Sequence, residues 1–425
     1  MSVSSPYLAY SPPRRTGIAD PLGAVTRFSI VLLIAIIAAS IILPETLVSA
    51  ASGTTVLLLT TLSGLVLLAR SVAREPSANA FMIVFLLFLL VSAISLASSD
   101  YPDLNEAYKR SLSILLPIGM LMLKMPKDFR VVHVISSVAI WAILLFVMTQ
   151  PAYFHESEFL QGAADRAPRL WPFYGMSPHS SGYFVGALLL IVYFSRPLRQ
   201  SLFGRLILWA TIGAALYMLL GFRSMQAIIT VLAFVGGALM SLRNISMTIK
   251  SAAITIVAAA ALYFFIDKIL VNIQLTGTFQ FESIGSGRVG TWIGRVEDII
   301  AISDFRTLLF GSGPGSDFYV GAMWNKVTTS HNTFLTYLVE YGFVGLGLLV
   351  LCIVMMALVF QGAAYPIVAA IVISSLIGNG LLMRMPVLVL FSFAGVVFYH
   401  HQISTRARSR ANAAGQRLAL EGKKQ

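Results

Sequence analysis

Residues 281–347 read FESIGSGRVGTWIGRVEDIIAISDFRTLLFGSGPGSDFYVGAMWNKVTTSHNTFLTYLVEYGFVGLG. Up to about Tyr341 this stretch is polar, whereas most of the chain around it is apolar. It holds Arg288, Arg295 and His331, two clusters of glycine and two short helical patterns. A polar segment set among hydrophobic ones predicts a loop that the surrounding helices hold at one face of a membrane.

Composition indicates a membrane protein. Hydrophobic residues make up 57% of the 425 residues and charged residues only 11%, against about 25% charged in soluble domains. The single cysteine, Cys352, lies in an apolar run, which excludes an intramolecular disulfide and a cysteine-based metal site. No His, Asp and Glu residues have the spacing of a zinc site. The formal net charge of +12 is spread over short separate pieces, so nucleic-acid binding is not expected.

Apolar runs recur along the chain with the length of membrane helices, each of which needs about 20 residues. They predict an all-α polytopic membrane protein with about 12 transmembrane helices. The runs lie near 28–43, 54–69, 80–97, 111–123, 131–149, 180–195, 203–220, 225–242, 249–266, 343–360, 364–378 and 386–399. We therefore divide the chain into an N-terminal tail (1–27), a multi-span membrane domain (28–400) and a basic tail (401–425).

The placement of Lys and Arg between the apolar runs predicts the orientation. With the N-terminus in the cytoplasm, the cytoplasmic pieces hold most of the 30 basic residues and few of the 18 acidic ones. Both termini are then cytoplasmic, and the basic tail lies beside anionic lipid. Two outer connections are long, near 150–179 and 267–341. The second is a large outer loop that contains most of the stretch quoted above.

The run GSGRVG at 285–290 has the GxGxxG spacing of a dinucleotide-binding turn, but no strand pattern precedes it and no βαβ unit surrounds it. Apolar residues then recur at helical spacing, at Val289, Trp292, Ile293, Val296 and Ile300. A glycine turn that leads into a helix N-terminus suits phosphate, and the guanidinium of Arg288 suits phosphate oxygens. An ordinary solvated arginine is the alternative.

A second glycine run, GSGPG at 311–315, lacks the Lys and the Ser or Thr of a P-loop, so a tight structural turn is predicted there. Further on, Ser330 and Asn332 are candidate N-caps of a helix that we expect to end at Gly342. His331 would lie at or before the first turn, where the helix dipole keeps the imidazole neutral and able to act as a base. The alternative is a rim histidine bonded to a loop carbonyl.

Two arginines lie in short outer turns between long apolar runs, Arg223 with almost no loop to hold it and Arg384 in the other turn. Charge at membrane depth is costly and is usually paired and functional. Snorkelling to the interface is the alternative. In the first long outer connection, Arg166 and Arg169 stand among aromatic residues, which suits a sugar phosphate or an ordinary membrane interface.

Several motifs occur together and in order. They are Gly287-Arg288-x-x-x-Trp292, Phe310-Gly-Ser-Gly-Pro-Gly315 and His331-Asn-x-x-Leu335-x-x-x-x-Glu340-x-Gly342-x-x-Gly345. With Arg223-Ser224 upstream, the combination resembles the O-antigen ligase and Wzy-type polysaccharide polymerase family, whose motifs protein O-oligosaccharyltransferases share. The motif region covers about residues 205–360, and the N-terminal half is similar in hydropathy and topology. Met and Gln follow Arg223-Ser224 where the family often has glycine or another small residue.

The resemblance implies a membrane glycosyltransferase of GT-C-like fold in the bacterial inner membrane, with a large periplasmic loop. Such proteins take a glycan from a polyprenyl-diphosphate carrier and transfer it to an acceptor hydroxyl, without metal, nucleotide or other cofactor. By this likeness, Arg223 and Arg288 hold the diphosphate and His331 serves the acceptor hydroxyl. Substrate-binding roles are expected for Arg166, Arg169, Trp292, Asn332 and Glu340.

Three functions remain open from the sequence. A polymerase would extend a surface polysaccharide or exopolysaccharide from lipid-linked repeat units, and overall likeness to exopolysaccharide polymerases favours it. A ligase would move a finished glycan onto lipid A–core. A polytopic transporter or flippase would explain the helices and Arg223, but not a polar outer loop that carries Arg288 and His331. A chain-length regulator and a flippase are candidate partners of the first two.

Overall fold

The computed structural model describes most of the predicted membrane domain and part of the predicted outer loop. The described residues are 21–40, 45–99, 102–122, 129–149, 178–195, 201–222, 224–242, 245–252, 288–302, 304–319, 330–360, 362, 364–378 and 380–402, with isolated positions between 255 and 273. Within this part of the chain the regular structure is helical and contains no strand. Most of the predicted tails, 1–27 and 401–425, lies outside it.

Helices follow one another along the described part of the chain. They are α1 (Pro21–Ser40), α2 (Glu45–Val72), α3 (Pro76–Ala97), α4 (Leu104–Met122), α5 (Arg130–Thr149), α6 (Pro178–Phe194), α7 (Leu202–Gly221), α8 (Met225–Ser241), α9 (Arg288–Ile300), α10 (Phe305–Phe310), α11 (Ser316–Tyr319), α12 (Thr333–Phe360), α13 (Tyr365–Ile377) and α14 (Met385–Gln402). A 3-10 turn, Leu381–Met383, precedes α14. Every predicted apolar run that is described in full lies in one of these helices to within a residue at either end; the runs at 28–43, 111–123 and 249–266 are described only in part.

Several of the helices have the dimensions of membrane spans. Five are long and apolar enough to cross a bilayer, namely Pro76–Ala97, Arg130–Met148, Leu202–Gly221, Thr333–Phe360 and Met385–Gln402. Shorter apolar helices accompany them. The chain is therefore a helical membrane protein with more than one span, as the sequence predicts. The predicted total of about 12 spans stays a prediction.

The exposed side chains of α7 indicate whether water or lipid surrounds these helices. Leu202, Phe203, Leu206 and Trp209 are between 61% and 77% exposed. A row of large apolar side chains on a soluble protein would mark a binding patch or an aggregation site. On a helix of this length and composition the row faces lipid tails, which are as apolar as the side chains themselves.

Small residues let the helices approach one another closely. A methyl group added to Gly119 of α4 would overlap Ser63 of α2, and one added to Gly237 of α8 would overlap the backbone of Tyr365 and Pro366 at the start of α13. Such contacts drive helix association in lipid, where the hydrophobic effect between helices is lost. They fix α13 against α8, and the end of α13 is where the site lies.

The polar stretch folds onto the start of α12. Gly311, Gly313 and Gly315 all have positive φ, at 81°, 105° and 84°, so the predicted tight turn is confirmed. The N–H of Ser312 donates to the carbonyl of Val339 at 2.9 Å, and a second backbone bond joins the turn to α12 one residue on. The turn is thereby fixed to the first part of α12.

Gly342 divides α12 in two. Its φ is 65° and its ψ −167°, a break in the helical backbone at the residue where the sequence predicts the helix to end. The chain does not leave the helix there, however, but resumes it at once and continues to Phe360. A side chain at this position would overlap the backbone of Leu309 and Phe310, because α10 crosses α12 at the break.

Candidate functional site

The site lies where the N-terminus of α9, the residues before α12 and the C-terminal end of α13 meet. Arg288 is the first residue of α9, and the predicted glycine turn before it lies outside the described residues. It is half-buried, and its Nη1 donates to the carbonyl of Ile377 at 3.1 Å. Arg288 is therefore held by the structure and does not behave as an ordinary solvated loop arginine.

Polar side chains from other elements bind the last carbonyls of α13, which have no partner within the helix. Gln226 of α8 donates Nε2 to the same Ile377 carbonyl at 3.2 Å. Asn332 donates Nδ2 to the carbonyl of Leu376 at 3.2 Å. The hydroxyl of Thr333 accepts from the N–H of Gly380 at 3.0 Å. The end of α13 thus ties α8, α9 and α12 together.

His331 stands immediately before α12. Asn332 is the N-cap, because its Oδ1 accepts from the N–H groups of Phe334 at 3.0 Å and Leu335 at 3.2 Å. His331 itself is half-buried and has a φ of 49°, in the left-handed region. Residues other than glycine seldom adopt this conformation, and it is most frequent at functional sites, where the surroundings enforce it.

Arg384 approaches from the turn after α13. It follows the 3-10 turn Leu381–Met383, and its guanidinium carbon lies 5.0 Å from the centroid of the Tyr183 ring of α6. This is the geometry of a cation–π contact. The sequence singled out Arg384 with less weight than Arg223, and gave no reason to select Tyr183, which lies in an apolar run.

Arg288, His331, Arg384 and Tyr183 form a cluster, and the charged groups within it influence one another. Burial lowers the pKa of Arg288; the Tyr183 side chain partly opposes this, and the positive charge of Arg384 lowers that pKa further. Burial also lowers the pKa of Arg384. A bound anion would stabilise both positive charges, and a guanidinium group is a shape that suits phosphate oxygens.

The same surroundings keep His331 neutral. Burial is the largest influence lowering the pKa of its imidazole, and the charge of Arg288 is the second. Asp317 acts in the opposite direction and Arg384 adds a smaller lowering. A lowered pKa favours the neutral imidazole, which is the form that can act as a general base toward a hydroxyl.

Trp292 supports this arrangement from α9. It lies one turn after Arg288, and its indole Nε1 donates to the carbonyl of Ser330 at 2.7 Å. Of the residues predicted for the site, Arg288, Trp292, His331 and Asn332 therefore come together, with Arg384 beside them. The side-chain hydrogen bonds described for Trp292 and Asn332 are all to backbone groups, which gives both residues a part in the shape of the site.

Glu340 lies elsewhere, about two turns along α12. Its side chain is 1% exposed, and Arg110 of α4 pairs with it through Nε at 3.1 Å and Nη2 at 3.4 Å. Glu106, one turn before Arg110, adds a second carboxylate at 3.0 Å. The sequence placed Glu340 among the substrate-binding residues because the motif contains it; the structure buries it in a helix–helix ion pair.

Three predicted site residues, Arg166, Arg169 and Arg223, lie outside the described residues. The neighbour of Arg223 is described: Ser224 packs against Gly182 of α6, where an added Cβ would lie 2.9 Å from the serine Cβ. Gly182 precedes Tyr183, the residue that Arg384 covers. The turn between α7 and α8 therefore passes beside the cluster.

Comparisons with known proteins add no family. No protein-family model matches the chain, and no curated protein matches it. In the part of the chain that the structure describes, no three His, Cys, Asp or Glu residues group as a metal site would need. The motifs and the geometry of the cluster therefore carry the functional interpretation.

Proposed function

We propose that the chain is a glycosyltransferase of the bacterial inner membrane that takes a glycan from a polyprenyl-diphosphate donor and transfers it to an acceptor hydroxyl at the periplasmic face. The observation that supports it most is the convergence of Arg288 and Arg384 beside a neutral His331. Breaking a sugar–phosphate bond builds negative charge on the departing diphosphate, and fixed cations in a partly dry site stabilise that charge.

The reaction assigns a task to each group. The acceptor oxygen attacks the anomeric carbon of the donor sugar while the bond from that carbon to the diphosphate oxygen breaks. The acceptor proton passes to a ring nitrogen of His331, and the electron pair of the broken bond leaves with the diphosphate. Arg288 and Arg384 lie where they can hold the diphosphate, and Arg223 is the third candidate cation by its motif.

We propose a polymerase of surface polysaccharide or exopolysaccharide, in which the acceptor is a second lipid-linked glycan. A ligase would run the same chemistry with lipid A–core as the acceptor. Arg166 and Arg169 are proposed to contact the sugar phosphate from the first outer connection. No metal or nucleotide has a task in this mechanism, because the donor already carries its leaving group.

The test is a transfer assay with the purified full-length protein in detergent. It contains polyprenyl-diphosphate repeat units, with and without lipid A–core, in the presence of EDTA and without nucleotide. A ladder of longer lipid-linked glycans supports the polymerase, and product on lipid A–core alone makes the protein a ligase. Absence of product with both acceptors, together with movement of carrier lipid across vesicles, would replace the proposal by a flippase.

A further inference from the structure

Asp317 is a buried carboxylate that the proposed reaction does not use. It is the second residue of α11, just after the glycine turn, and is 1% exposed. Its Oδ2 accepts from the N–H of Ser330 at 2.9 Å, from the hydroxyl of Ser330 at 2.9 Å and from the hydroxyl of Thr336 at 2.8 Å. All of these donors lie within a few residues of His331, on both sides of it.

Arg295 of α9 holds Asp317 from the other side. Its Nε lies 3.2 Å from Oδ1 of Asp317, and its Nη2 donates to the carbonyl of Asp317 at 2.6 Å. Arg295 is 2% exposed. Oδ1 of Asp317 therefore faces the guanidinium of Arg295, and Oδ2 faces Ser330 and Thr336. An asparagine could replace only one of the two oxygens, because its amide has a single acceptor oxygen.

The bonds of Ser330 and Asn332 fix the chain on both sides of His331. The N–H and hydroxyl of Ser330 go to Asp317, and its carbonyl accepts from Trp292 at 2.7 Å. Asn332 is fixed by its cap and by Leu376. With both neighbours held, His331 has little choice but the left-handed conformation at φ 49°. Such a conformation persists only where the surroundings over-determine it.

We infer that Asp317 is a positioning residue, which holds Ser330 and thereby keeps the imidazole of His331 buried beside Arg288 and Arg384. The glycine turn at 311–315 contributes to this positioning, because it leads into α11 and so places Asp317 against the residues before α12. The consequence for transfer rests on the proposed function. The consequence for the environment of His331 does not.

The variant that tests the inference is Asp317→Asn in the full-length protein. Its matched control is Asp298→Asn, since Asp298 also pairs with Arg295, at 3.5 Å, but is about half exposed and is not one of the groups that bind Ser330. We expect Asp317→Asn to lower kcat about 100-fold, the effect of a misplacement near 1 Å, with little change in KM. Asp298→Asn should leave both constants unchanged.

A second measurement reads His331 directly. Diethyl pyrocarbonate modifies neutral imidazole, so the pH dependence of modification of the His331 peptide, followed by mass spectrometry, reports when the ring loses its proton. The charged groups that act on His331 are Arg288, Arg384 and Asp317. Release of the ring into water should raise the pH midpoint toward the ordinary value and speed modification, even though a negative charge has been removed.

The outcomes separate the alternatives. An unchanged kcat and midpoint, or a midpoint that falls as expected from loss of the carboxylate charge alone, would overturn the positioning role. A raised midpoint in a protein whose wild-type form makes no glycan would keep that role and reject the proposed function. If Asp317→Asn fails to reach the membrane, Ser330→Ala removes one donor without changing charge, and an unchanged midpoint and modification rate there would also overturn the inference.

Discussion

Arg110 and Arg288 are both largely withdrawn from solvent, yet their surroundings differ. Arg110 meets two carboxylates, those of Glu106 and Glu340, and joins α4 to α12. Arg288 donates to the carbonyl of Ile377 and lies near a second cation, Arg384. Around Arg110, positive and negative charges neutralise each other. Around Arg288, two positive charges lie close together. Neutralised pairs join elements of the fold, whereas perturbed charges brought close together are common at functional sites, where an anion would stabilise them.

The largest effect should come from removing a positive charge from the site around Arg288. We expect Arg288→Ala to lower glycan transfer about 100-fold or more, as loss of one stabilising group at a developing negative charge does, with unchanged amounts of protein in the membrane. Arg306→Ala is the matched control, because Arg306 belongs to the same outer loop but is exposed on α10. Near-normal transfer by Arg288→Ala would show that Arg288, like Arg110, has no part in the reaction.

Removing charge from the neutralised pair should instead destabilise the protein. Arg110→Ala leaves Glu340 buried without its partner, which costs about 3–5 kcal/mol when a buried pair is broken. Replacing both residues by Met should recover most of that loss. Thermal unfolding in detergent measures it. If Arg110→Ala unfolds at the wild-type temperature, the pair does not hold α4 to α12.

A substitution at the break in α12, two residues after Glu340, should have a smaller effect on stability. Gly342→Ala places a side chain at φ 65° and against the backbone of Leu309. We expect a loss of about 1–3 kcal/mol from strain and a lower unfolding temperature. Gly347→Ala, at a position with open space around it, is the control and should unfold as the wild type does.

The smallest effect concerns pH. His331 acts as a base only when neutral, and its pKa lies below the ordinary value of 6.5 because of burial and Arg288. Transfer should therefore fall at acidic pH, as the imidazole gains its proton, with a midpoint below 6.5. A pH profile of kcat/KM measures this, because it reports the pKa of the free enzyme. A midpoint at or above 6.5 would show that His331 lies outside the influence of Arg288.

Local features of the site could be predicted from sequence because their causes are local. The helix after Arg288, the tight turn at 311–315, the cap at Asn332 and the break at Gly342 all follow from nearby glycine, polar and apolar residues. The helical membrane character follows equally well from the apolar runs.

Contacts between distant parts of the chain could not be predicted in this way. Glu340 and Arg110 are 230 positions apart, and no pattern near either one indicates the other. Tyr183 and Gln226 lie in apolar runs and reach the cluster because α6 packs against α8 and α8 packs against α13. The motif resemblance selects Arg288, His331 and Glu340 alike, and it does not indicate that Glu340 joins two helices through an ion pair.

The break at Gly342 also bears on how the protein tolerates bilayers of different thickness. The segment after it, 343–360, is long enough at 1.5 Å per residue to cross most of a hydrocarbon core of about 30 Å, and such helices tilt to match the membrane around them. The segment before it is bonded to the glycine turn at Ser312 and Gly313 and does not continue the same helical axis. We therefore expect a change of tilt after Gly342 to be taken up at the bend, so that the residues around His331 keep their alignment in thin and thick membranes alike.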